Sequence, residues 1–445
     1  MSLVIGSIKS WQQTVIFTDE LLIEDAAYTM AKGGSWITPK VNGETYLAKP
    51  PLLYWLYALL YRFFPPLPFI RRVWMIIFGS LLNLIVFVLA KKWYGVKVAV
   101  YSSLFLCLSF PFVYFTKTAN FDLVNAFFIT LTVFLYNQSR SRVRYFFTFI
   151  SLGVSVLNRS FLALLPFAII GINETVGKRR FFDIKKLILA VIIFLLIILP
   201  WHILAVKQDY REFVRQYLQL PVLFHMFSLV DGDTASNPLF YLNIFVLFPP
   251  VLFVFLYLGY LIKFKKMNLR NIFSFPHIQL SAWIIFYSVI LAVSRTRHEW
   301  YLLPLFPALA IATGYSFDKL LALSKGFAVA NYFFSLMAVT FLISPVFALI
   351  KFPLPEAEVI QAVNLIKKSQ AHNSTFFIYK YDIVPITGLY PENIKGKIIK
   401  NLEILDGLGD KVNIIARTAD LSEFPEKNNK QIKYRGELYS VVSYN

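Results

Sequence analysis

The sequence has very little cysteine and little charge. One of its 445 residues is a cysteine, Cys107, so a disulfide within the chain is excluded. Cysteine and histidine residues with the spacing of a metal site are absent. Charged residues make up 16% of the chain, whereas about a quarter is usual in soluble domains. We also find no internal repeat and no low-complexity tract.

Apolar residues take the place of the missing charge. The chain is 57% hydrophobic and 18% aromatic, with a mean hydropathy of +0.60. This excess indicates contact with lipid rather than a larger core. The net charge is +19, which in a soluble protein would suggest nucleic acid as a binding partner. In a membrane protein the same charge indicates basic cytoplasmic loops that face anionic lipid, so we predict membrane lipids and no nucleic acid as partners.

Apolar runs of the length of a membrane helix recur along the chain and predict about eleven spans. The first 17 residues are the weakest of these, because polar residues interrupt them, and they are not a convincing signal peptide. The break at Asn158-Arg159-Ser160 predicts two short helices on either side of it rather than one long helix. The other ten predicted spans are 70–90, 98–115, 122–138, 145–157, 160–173, 187–206, 238–262, 278–294, 300–316 and 328–350.

The basic residues predict the orientation. When the spans are counted alternately, the Lys- and Arg-rich loops all fall on one side, which the positive-inside rule assigns to the cytoplasm. The opening loop 18–67, the loop 207–237, His298 and the C-terminal tail then lie outside. The outer loop 207–237 contains an amphipathic stretch, in which Phe213 and Tyr217 have the spacing of an interfacial helix.

The composition changes near residue 352. Helical patterns at 356–368 and 396–406 alternate with strand-like runs at 376–384, 412–417 and 438–444, which predicts a small α/β domain. The predicted fold class is therefore a polytopic α-helical membrane protein with a small C-terminal α/β extramembrane domain. We predict a transmembrane domain at 1–350, with the external loop 18–67, and an external domain at 351–445.

The stretch 18–56 is the most informative part of the chain. Two acids, Asp19 and Glu20, open a helical pattern that Gly33-Gly34 ends. A turn, VNGETY, then leads to Lys49-Pro50-Pro51 and an aromatic run. An acid at the start of a helix lies beside unpaired N–H groups that favour its ionised form, which suits it to act as a general base.

These residues carry a resemblance. The run from Asp19 to Trp36, Asn42-Gly43, Tyr46 and Lys49–Trp55 resemble the first external loop of the GT-C membrane glycosyltransferases. That family includes the aminoarabinose transferases acting on lipid A and the dolichyl-phosphate-mannose protein mannosyltransferases. The segment 295–311, RTRHEWYLLPLFPALAI, resembles a second segment of the family.

The resemblance implies roles for particular residues. It makes Asp19 the catalytic carboxylate and gives Asp122 an acid counterpart at the start of a later span, so both are predicted to be catalytic, while a helix N-cap is the alternative for each. Cations would accept the charge of a phosphate leaving group, with lipid headgroup contact as the alternative. The predicted phosphate-binding residues are Lys49, Arg72, Arg159 and Arg297. The predicted substrate-binding residues are Glu20, Tyr46, Tyr54, His298 and Tyr301.

We therefore predict a glycosyltransferase. It would move a sugar from a polyprenyl-phosphate donor to an envelope acceptor, lipid A first and protein Ser/Thr second, with inversion at the sugar carbon. The reaction would take place on the outer face of the inner (plasma) membrane, facing the periplasm or exterior. A transporter or flippase of lipid-linked sugars without catalysis is the rival prediction. No cofactor is predicted with certainty, since a divalent metal lacks supporting ligand spacing, and Ala48 and Ile23 depart from the family pattern.

Overall fold

The structure is a computed structural model. It describes residues 18–41, 43–67, 69–138, 142–176, 184–224, 240–243, 248–264, 275–294, 297–323, 375–379, 395–399, 412–424, 430–435 and 439–444.

The chain divides into two compact units. Among the described residues, the first unit contains 47–53 and 72–323, and we call it the helical unit. The second contains 18–46, 54–71 and the C-terminal strands from 375 onward. The predicted domain boundary at 350–351 lies outside the described residues, so the division at that point stays a prediction.

The helical unit is built almost wholly from apolar helices. The labels α1 and α2 belong to helices of the second unit, whose bounds are given below. The α-helices of the helical unit follow in chain order. They are α3 Val73–Tyr94, α4 Val96–Leu108, α5 Phe110–Phe115, α6 Phe121–Asn137, α7 Arg142–Arg159, α8 Leu165–Val176, α9 Ile184–Gln208, α10 Leu252–Lys263, α11 His277–Val293 and α12 Phe306–Leu323. A short turn Tyr210–Glu212 continues into a π-helix, Phe213–Phe224.

Three helices of the described chain have the length and composition to cross a membrane. They are Ile70–Tyr94, Leu187–Gln208 and Trp300–Leu323, and six shorter apolar helices accompany them. Gly95 ends α3 with φ +95°, a backbone conformation that favours glycine, and its N–H bonds the carbonyl of Lys91 at 3.0 Å. The predicted mostly helical, apolar architecture is confirmed, and the number of about eleven spans stays a prediction.

Prolines account for the helix bounds that differ from the sequence prediction. The run 98–115 divides at Ser109, and α5 begins at Phe110 with Pro111 in its first turn. In the described part of the run 238–262, an α-helix begins at Leu252, after a 3₁₀ turn at Pro249–Val251. Proline lacks the N–H of a helix interior and clashes with the preceding turn. The predicted break after Asn158 is confirmed, because α7 ends at Arg159 and a 3₁₀ turn, Ser160–Leu164, follows.

The N-terminal part of the second unit follows the predicted pattern. The helix α1 is Thr18–Ala31, and Gly33 with φ +102° ends it while the N–H of Gly34 bonds the carbonyl of Thr29 at 2.9 Å. Strands β1 (Lys40–Val41) and β2 (Glu44–Thr45) form an antiparallel hairpin. Helix α2, Leu52–Tyr61, then begins directly after Pro50-Pro51.

The C-terminal part of that unit contains a five-stranded mixed sheet. Its strands are β3 Thr375–Tyr379, β4 Lys395–Ile399, β5 Val412–Arg417, β6 Lys430–Arg435 and β7 Tyr439–Tyr444, in the order β4-β3-β5-β7-β6. Strand β3 pairs in parallel with β4 and β5, and β7 pairs antiparallel with β5 and β6. The predicted helix at 396–406 is wrong at its start, where β4 lies. The backbone of Lys395–Ile399 forms its hydrogen bonds with strand β3, and this long-range pairing overrides the local helix propensity. The predicted helix 356–368 lies outside the described residues, and the extramembrane placement of this domain stays a prediction.

Candidate active site

Asp122 lies at the capped start of helix α6 in the helical unit. The side chain of Asn120 accepts the N–H of Leu123 at 2.8 Å and so caps the start of α6. The same side chain donates to the carbonyls of Phe115 and Thr118, at 3.1 and 2.7 Å. The N-cap residue of α6 is therefore Asn120. Asp122 lies in the first turn of α6 and is almost fully buried, and its carboxylate binds a different residue.

That partner is Arg159. Its Nη2 lies 3.2 Å from Oδ1 of Asp122, and both side chains are less than 5% exposed. The guanidinium also lies over the ring of Tyr301, 5.5 Å from the ring centroid. The structure thus brings together three residues that the sequence predicted separately.

The break between α7 and α8 positions Arg159. The side chain of Asn158 donates from Nδ2 to the carbonyl of Phe121 at 2.9 Å, which ties the end of α7 to the start of α6. Ser160 follows with φ +60°, a left-handed conformation that is uncommon outside glycine. The chain turns at this point, and Arg159 ends the helix with its side chain at the start of α6.

Lys49 lies beside the same helix end. Its Nζ is 6.0 Å from the centroid of the ring of Phe121, the residue before Asp122 in α6. Arg72 is fully buried, and its Nε donates to the carbonyl of Lys117 at 2.7 Å. Lys49 and Arg159 therefore surround the start of α6, whereas Arg72 holds the loop that leads to it.

The segment 297–301 completes this cluster. The ring of His298 stacks on Trp300 with centroids 4.2 Å apart, and meets Tyr301 edge-on at 5.1 Å. The hydroxyl of Tyr287 donates to the carbonyl of Tyr301 at 2.9 Å and fixes its backbone. Arg297 is half-buried and lies near enough to Tyr241 to interact with it electrostatically.

Acids on α1 form a separate cluster in the other unit. Asp19 is the second described residue of α1, and Glu20, Glu24 and Asp25 are almost fully buried. The guanidinium of Arg71 binds the carboxylate of Glu24 through Nε at 2.7 Å and Nη2 at 3.0 Å. Burial raises the pKa of Glu24 to about 7, with Arg71 opposing the rise and the charges of Glu20 and Asp25 adding to it.

Sequence reasoning missed the Glu24–Arg71 pair. The hydroxyl of Tyr57 on α2 donates to the main-chain carbonyl of Arg71, so that the arginine is held at both its backbone and its side chain. Residues four apart lie on one face of a helix, so the spacing of Glu20 and Glu24 was a signal for an inward acidic face. Its partner could not be found from the sequence, because it lies 47 positions further along.

The two predicted tyrosines differ in exposure. Tyr46 is half-buried, and its N–H bonds the carbonyl of Pro39 at 2.8 Å next to the β1–β2 hairpin. Tyr54 is fully buried in α2. The neighbouring Trp55 donates from Nε1 to the carbonyl of Trp36 at 2.6 Å, so its polar edge serves the fold of the loop.

The helical cluster places two cations, Lys49 and Arg159, near the start of one helix. Within the described part of the chain, no three His, Cys, Asp or Glu side chains are grouped to hold a metal ion. Arg159 is buried, where a charge interacts more strongly than in water, and the half-buried Lys49 lies near the same helix start. Such an arrangement is suited to stabilise negative charge that develops on a phosphate.

Known proteins resemble this chain in sequence. Residues 48–204 match the family model of dolichyl-phosphate-mannose-protein mannosyltransferase. An uncharacterised protein of Aquifex aeolicus is 27% identical over 66% of this chain and 58% of its own length. The undecaprenyl phosphate-alpha-4-amino-4-deoxy-L-arabinose arabinosyl transferase of Pseudomonas savastanoi is 30% identical over 45% of this chain and 39% of its own length. The matches thus span less than two thirds of these two relatives.

Solved structures resemble its fold. The crystal structure of ArnT from Cupriavidus metallidurans in the apo state superposes with a TM-score of 0.75 at 15% identity, covering 100% of this chain and 96% of that one. The same protein bound to undecaprenyl phosphate gives 0.74 over the same shares. The oligosaccharyltransferase of Archaeoglobus fulgidus gives 0.56 at 13% identity, covering 94% of this chain and 69% of that one.

The fold and the sequence matches agree with the resemblance that the opening loop carries. The chain has the fold of the ArnT structures, its residues 48–204 are similar to the protein mannosyltransferases, and three of its described helices are long and apolar enough to cross a membrane.

Proposed function

We propose that the chain is a glycosyltransferase that moves a sugar from a polyprenyl-phosphate donor to an acceptor hydroxyl. The observation that carries this proposal is the fold, which superposes over its whole length on an ArnT structure with undecaprenyl phosphate bound. The relatives that act from undecaprenyl phosphate-aminoarabinose support the same class of donor.

In this reaction the bond between the sugar C1 and the phosphate oxygen breaks as the acceptor oxygen attacks C1 from the opposite side. The polyprenyl phosphate leaves with one more negative charge, and the acceptor hydroxyl loses its proton. Asp19 would take that proton, as the resemblance of the opening loop implies, since a carboxylate is suited to act as a general base. Glu20, the next residue of α1, would assist.

The cations of the helical unit would receive the leaving group. Lys49 and Arg159 would bind the phosphate near the start of α6, with Arg297 and Arg72 as further candidates. Asp122, which the sequence predicted as catalytic, would hold the guanidinium of Arg159 in place through their ion pair. Tyr46, Tyr54, His298 and Tyr301 would contact the sugar or the lipid.

We further propose that the acceptor belongs to the cell envelope, with lipid A first and protein Ser/Thr second. The reaction would take place on the periplasmic or external side of the inner membrane. The arabinosyl transferase relatives support lipid A, while the family model of the protein mannosyltransferases supports protein.

The test is transfer by the purified protein in detergent, with labelled polyprenyl-phosphate sugars and a crude envelope extract. Wild type and Asp19→Asn are compared, and Glu44→Gln, an exposed acid of the hairpin, serves as the matched control. We expect label to reach an acceptor with wild type and the control but not with Asp19→Asn. Equal transfer by all three would remove Asp19 from catalysis. Donor flipping in liposomes with no transfer from any donor would favour the transporter.

A further inference from the structure

Two adjacent residues of the π-helix Phe213–Phe224 contact both segments that carry the proposed phosphate-binding cations. We infer that Gln216 and Tyr217 are positioning residues for the donor phosphate, and this inference rests on the proposed function. Both side chains are buried, with exposures of 8% and 5%. All of the contacts involved lie within the helical unit.

Gln216 holds the segment of Lys49. Its Oε1 accepts the main-chain N–H of Leu47, two residues before Lys49, at 2.6 Å. Its Nε2 donates to Glu212 at 2.5 Å, and Glu212 is itself bound by the guanidinium of Arg215, at 2.6 Å from Nη2. The amide is thus fixed in orientation, with its oxygen toward Leu47.

Tyr217 holds the segment of Arg159. The side chain of Ser160, the residue after Arg159, lies near enough to the phenol of Tyr217 to interact with it electrostatically. The phenol donates to Nε2 of His202 at 2.8 Å, and Nδ1 of His202 donates to the carbonyl of Ile198 on α9 at 2.7 Å. These two bonds connect Tyr217, beside the turn after Arg159, to the backbone of a long apolar helix.

The backbone of Ser160 explains why such a support is needed. A left-handed residue other than glycine costs on the order of 1 kcal/mol and persists only where its surroundings hold it. Tyr217 lies beside Ser160 at the point where the chain turns away from Arg159, and we infer that it supports the backbone there. The ring of Tyr217 is itself fixed, because it stacks on Phe213 with centroids 4.8 Å apart and meets Trp201 edge-on at 5.6 Å.

The predicted interfacial helix at this place is therefore corrected. A helical segment is present, but Phe213 and Tyr217 pack against Trp201 and His202 rather than facing lipid. The two residues that follow one another in this segment connect its backbone to Leu47 and to Ser160. A shift of the segment would move both cations with respect to the bound phosphate.

The test compares Gln216→Leu and Tyr217→Phe with wild type. Each substitution keeps the approximate size of the side chain and removes its hydrogen bonds. The matched controls are Gln208→Leu and Tyr210→Phe, which are exposed positions just before the π-helix. The measurements are the binding of undecaprenyl phosphate to the purified protein in detergent, the KM for donor and for acceptor, and the thermal unfolding midpoint.

We expect each variant to bind undecaprenyl phosphate roughly tenfold more weakly, the effect of losing about one buried hydrogen bond. The KM for the donor should rise and the KM for the acceptor should stay at its wild-type value. A purely structural defect would instead lower the active fraction, and hence kcat, with both KM values unchanged. The controls should behave as wild type in all of these measurements.

The possible outcomes separate the inference from the proposed function. If wild type binds undecaprenyl phosphate and both variants bind it equally well, the positioning role is wrong while the proposed function stands. If the variants lose kcat and stability with no change in donor affinity, the two residues only support the fold and the inference is overturned. If wild type binds no polyprenyl phosphate, the proposed function fails and the inference fails with it.

Discussion

The ion pair of Glu24 and Arg71 should respond differently to the loss of each partner. Both side chains are buried, and two nitrogen–oxygen contacts of 2.7 and 3.0 Å join them. Glu24→Gln leaves a guanidinium without its anion, and arginine cannot release its proton in a protein. Arg71→Met leaves a carboxyl group, which can take up a proton and become neutral. We therefore expect Glu24→Gln to destabilise the protein more.

The size of the difference follows from the two end states. Removing one partner of a buried pair while the other stays charged costs about 3–5 kcal/mol in the free energy of unfolding. The pKa of Glu24 is already about 7 in the presence of Arg71, and it rises further when that cation is removed. At pH 8 Glu24 is ionised in wild type, so Glu24→Gln there removes a charged partner. The carboxyl of the Arg71→Met variant can instead bind a proton, and its cost falls toward that of a lost buried hydrogen bond, about 1–3 kcal/mol. The predicted difference at pH 8 is thus up to about 2 kcal/mol, and it should shrink at pH 6, where Glu24 is mostly protonated in wild type already.

The pH dependence has a definite sign. The folded pKa of Glu24 lies above its ordinary value of 4.5, so the native protein binds more protons than the unfolded chain between the two values. The stability contributed by this group is greatest below pH 4.5, falls as the pH rises to 7 by at most about 3 kcal/mol, and is constant above. In Arg71→Met the fall should continue beyond pH 7.

The assay is chemical denaturation in detergent micelles, followed by circular dichroism at pH 6 and pH 8. It compares wild type, Glu24→Gln, Arg71→Met and the double variant. Single substitutions of two exposed residues, Glu44→Gln and Arg62→Met, serve as controls. The double variant should recover part of the loss caused by Glu24→Gln, because neither charge remains buried. An Arg71→Met variant that is destabilised as much as Glu24→Gln at pH 8 would refute this reasoning.

The remaining predictions concern the helical unit. A Cβ at Gly314 would lie 2.4 Å from Oγ of Ser102, so Gly314→Ala should lower the unfolding midpoint. Gly259 lies in helix α10 with open space around it, so Gly259→Ala should stabilise the protein by about 0.5–1 kcal/mol. Equal midpoints for the two variants would show that α4 and α12 are not closely packed at Gly314. Asp122→Asn should cost about 3–5 kcal/mol in denaturation, since it leaves Arg159 buried and charged, and an additional Arg159→Met should recover part of that cost. No recovery in the double variant would contradict a direct pair.

The helices and the opening loop could be predicted from the sequence because their signals are local. Apolar runs of helical length, the break at Asn158-Arg159 and the glycines after α1 each act within a few residues. The starts of α5 and α10 could not be placed in the same way, because the prolines there lie inside apolar runs that read as continuous. Strand β4 was missed because its pairing with β3 is a long-range contact.

The candidate residues could be named from the sequence, but their partners could not. Asp122, Arg159 and Tyr301 were each predicted, and only the structure joins them. Arg72 was predicted as a phosphate-binding cation, and only the structure shows it buried with its Nε bonded to the carbonyl of Lys117. Contacts between residues far apart along the chain carry no local pattern, so the network of Gln216 and Tyr217 lay beyond sequence reasoning as well.

The position of each buried acid on its helix decides what it can do. Asp122 lies in the first turn of α6 and Arg159 in the last turn of α7, so each charge sits at the helix end whose dipole favours it. Their ion pair is thus supported by both backbones, which suits it to hold a fixed cation before a phosphate arrives. Glu24 lies in the middle of α1 without such support, and burial brings its pKa close to 7. An acid at the helix end therefore serves as a permanent charge, and an acid in the helix interior changes its charge near neutral pH.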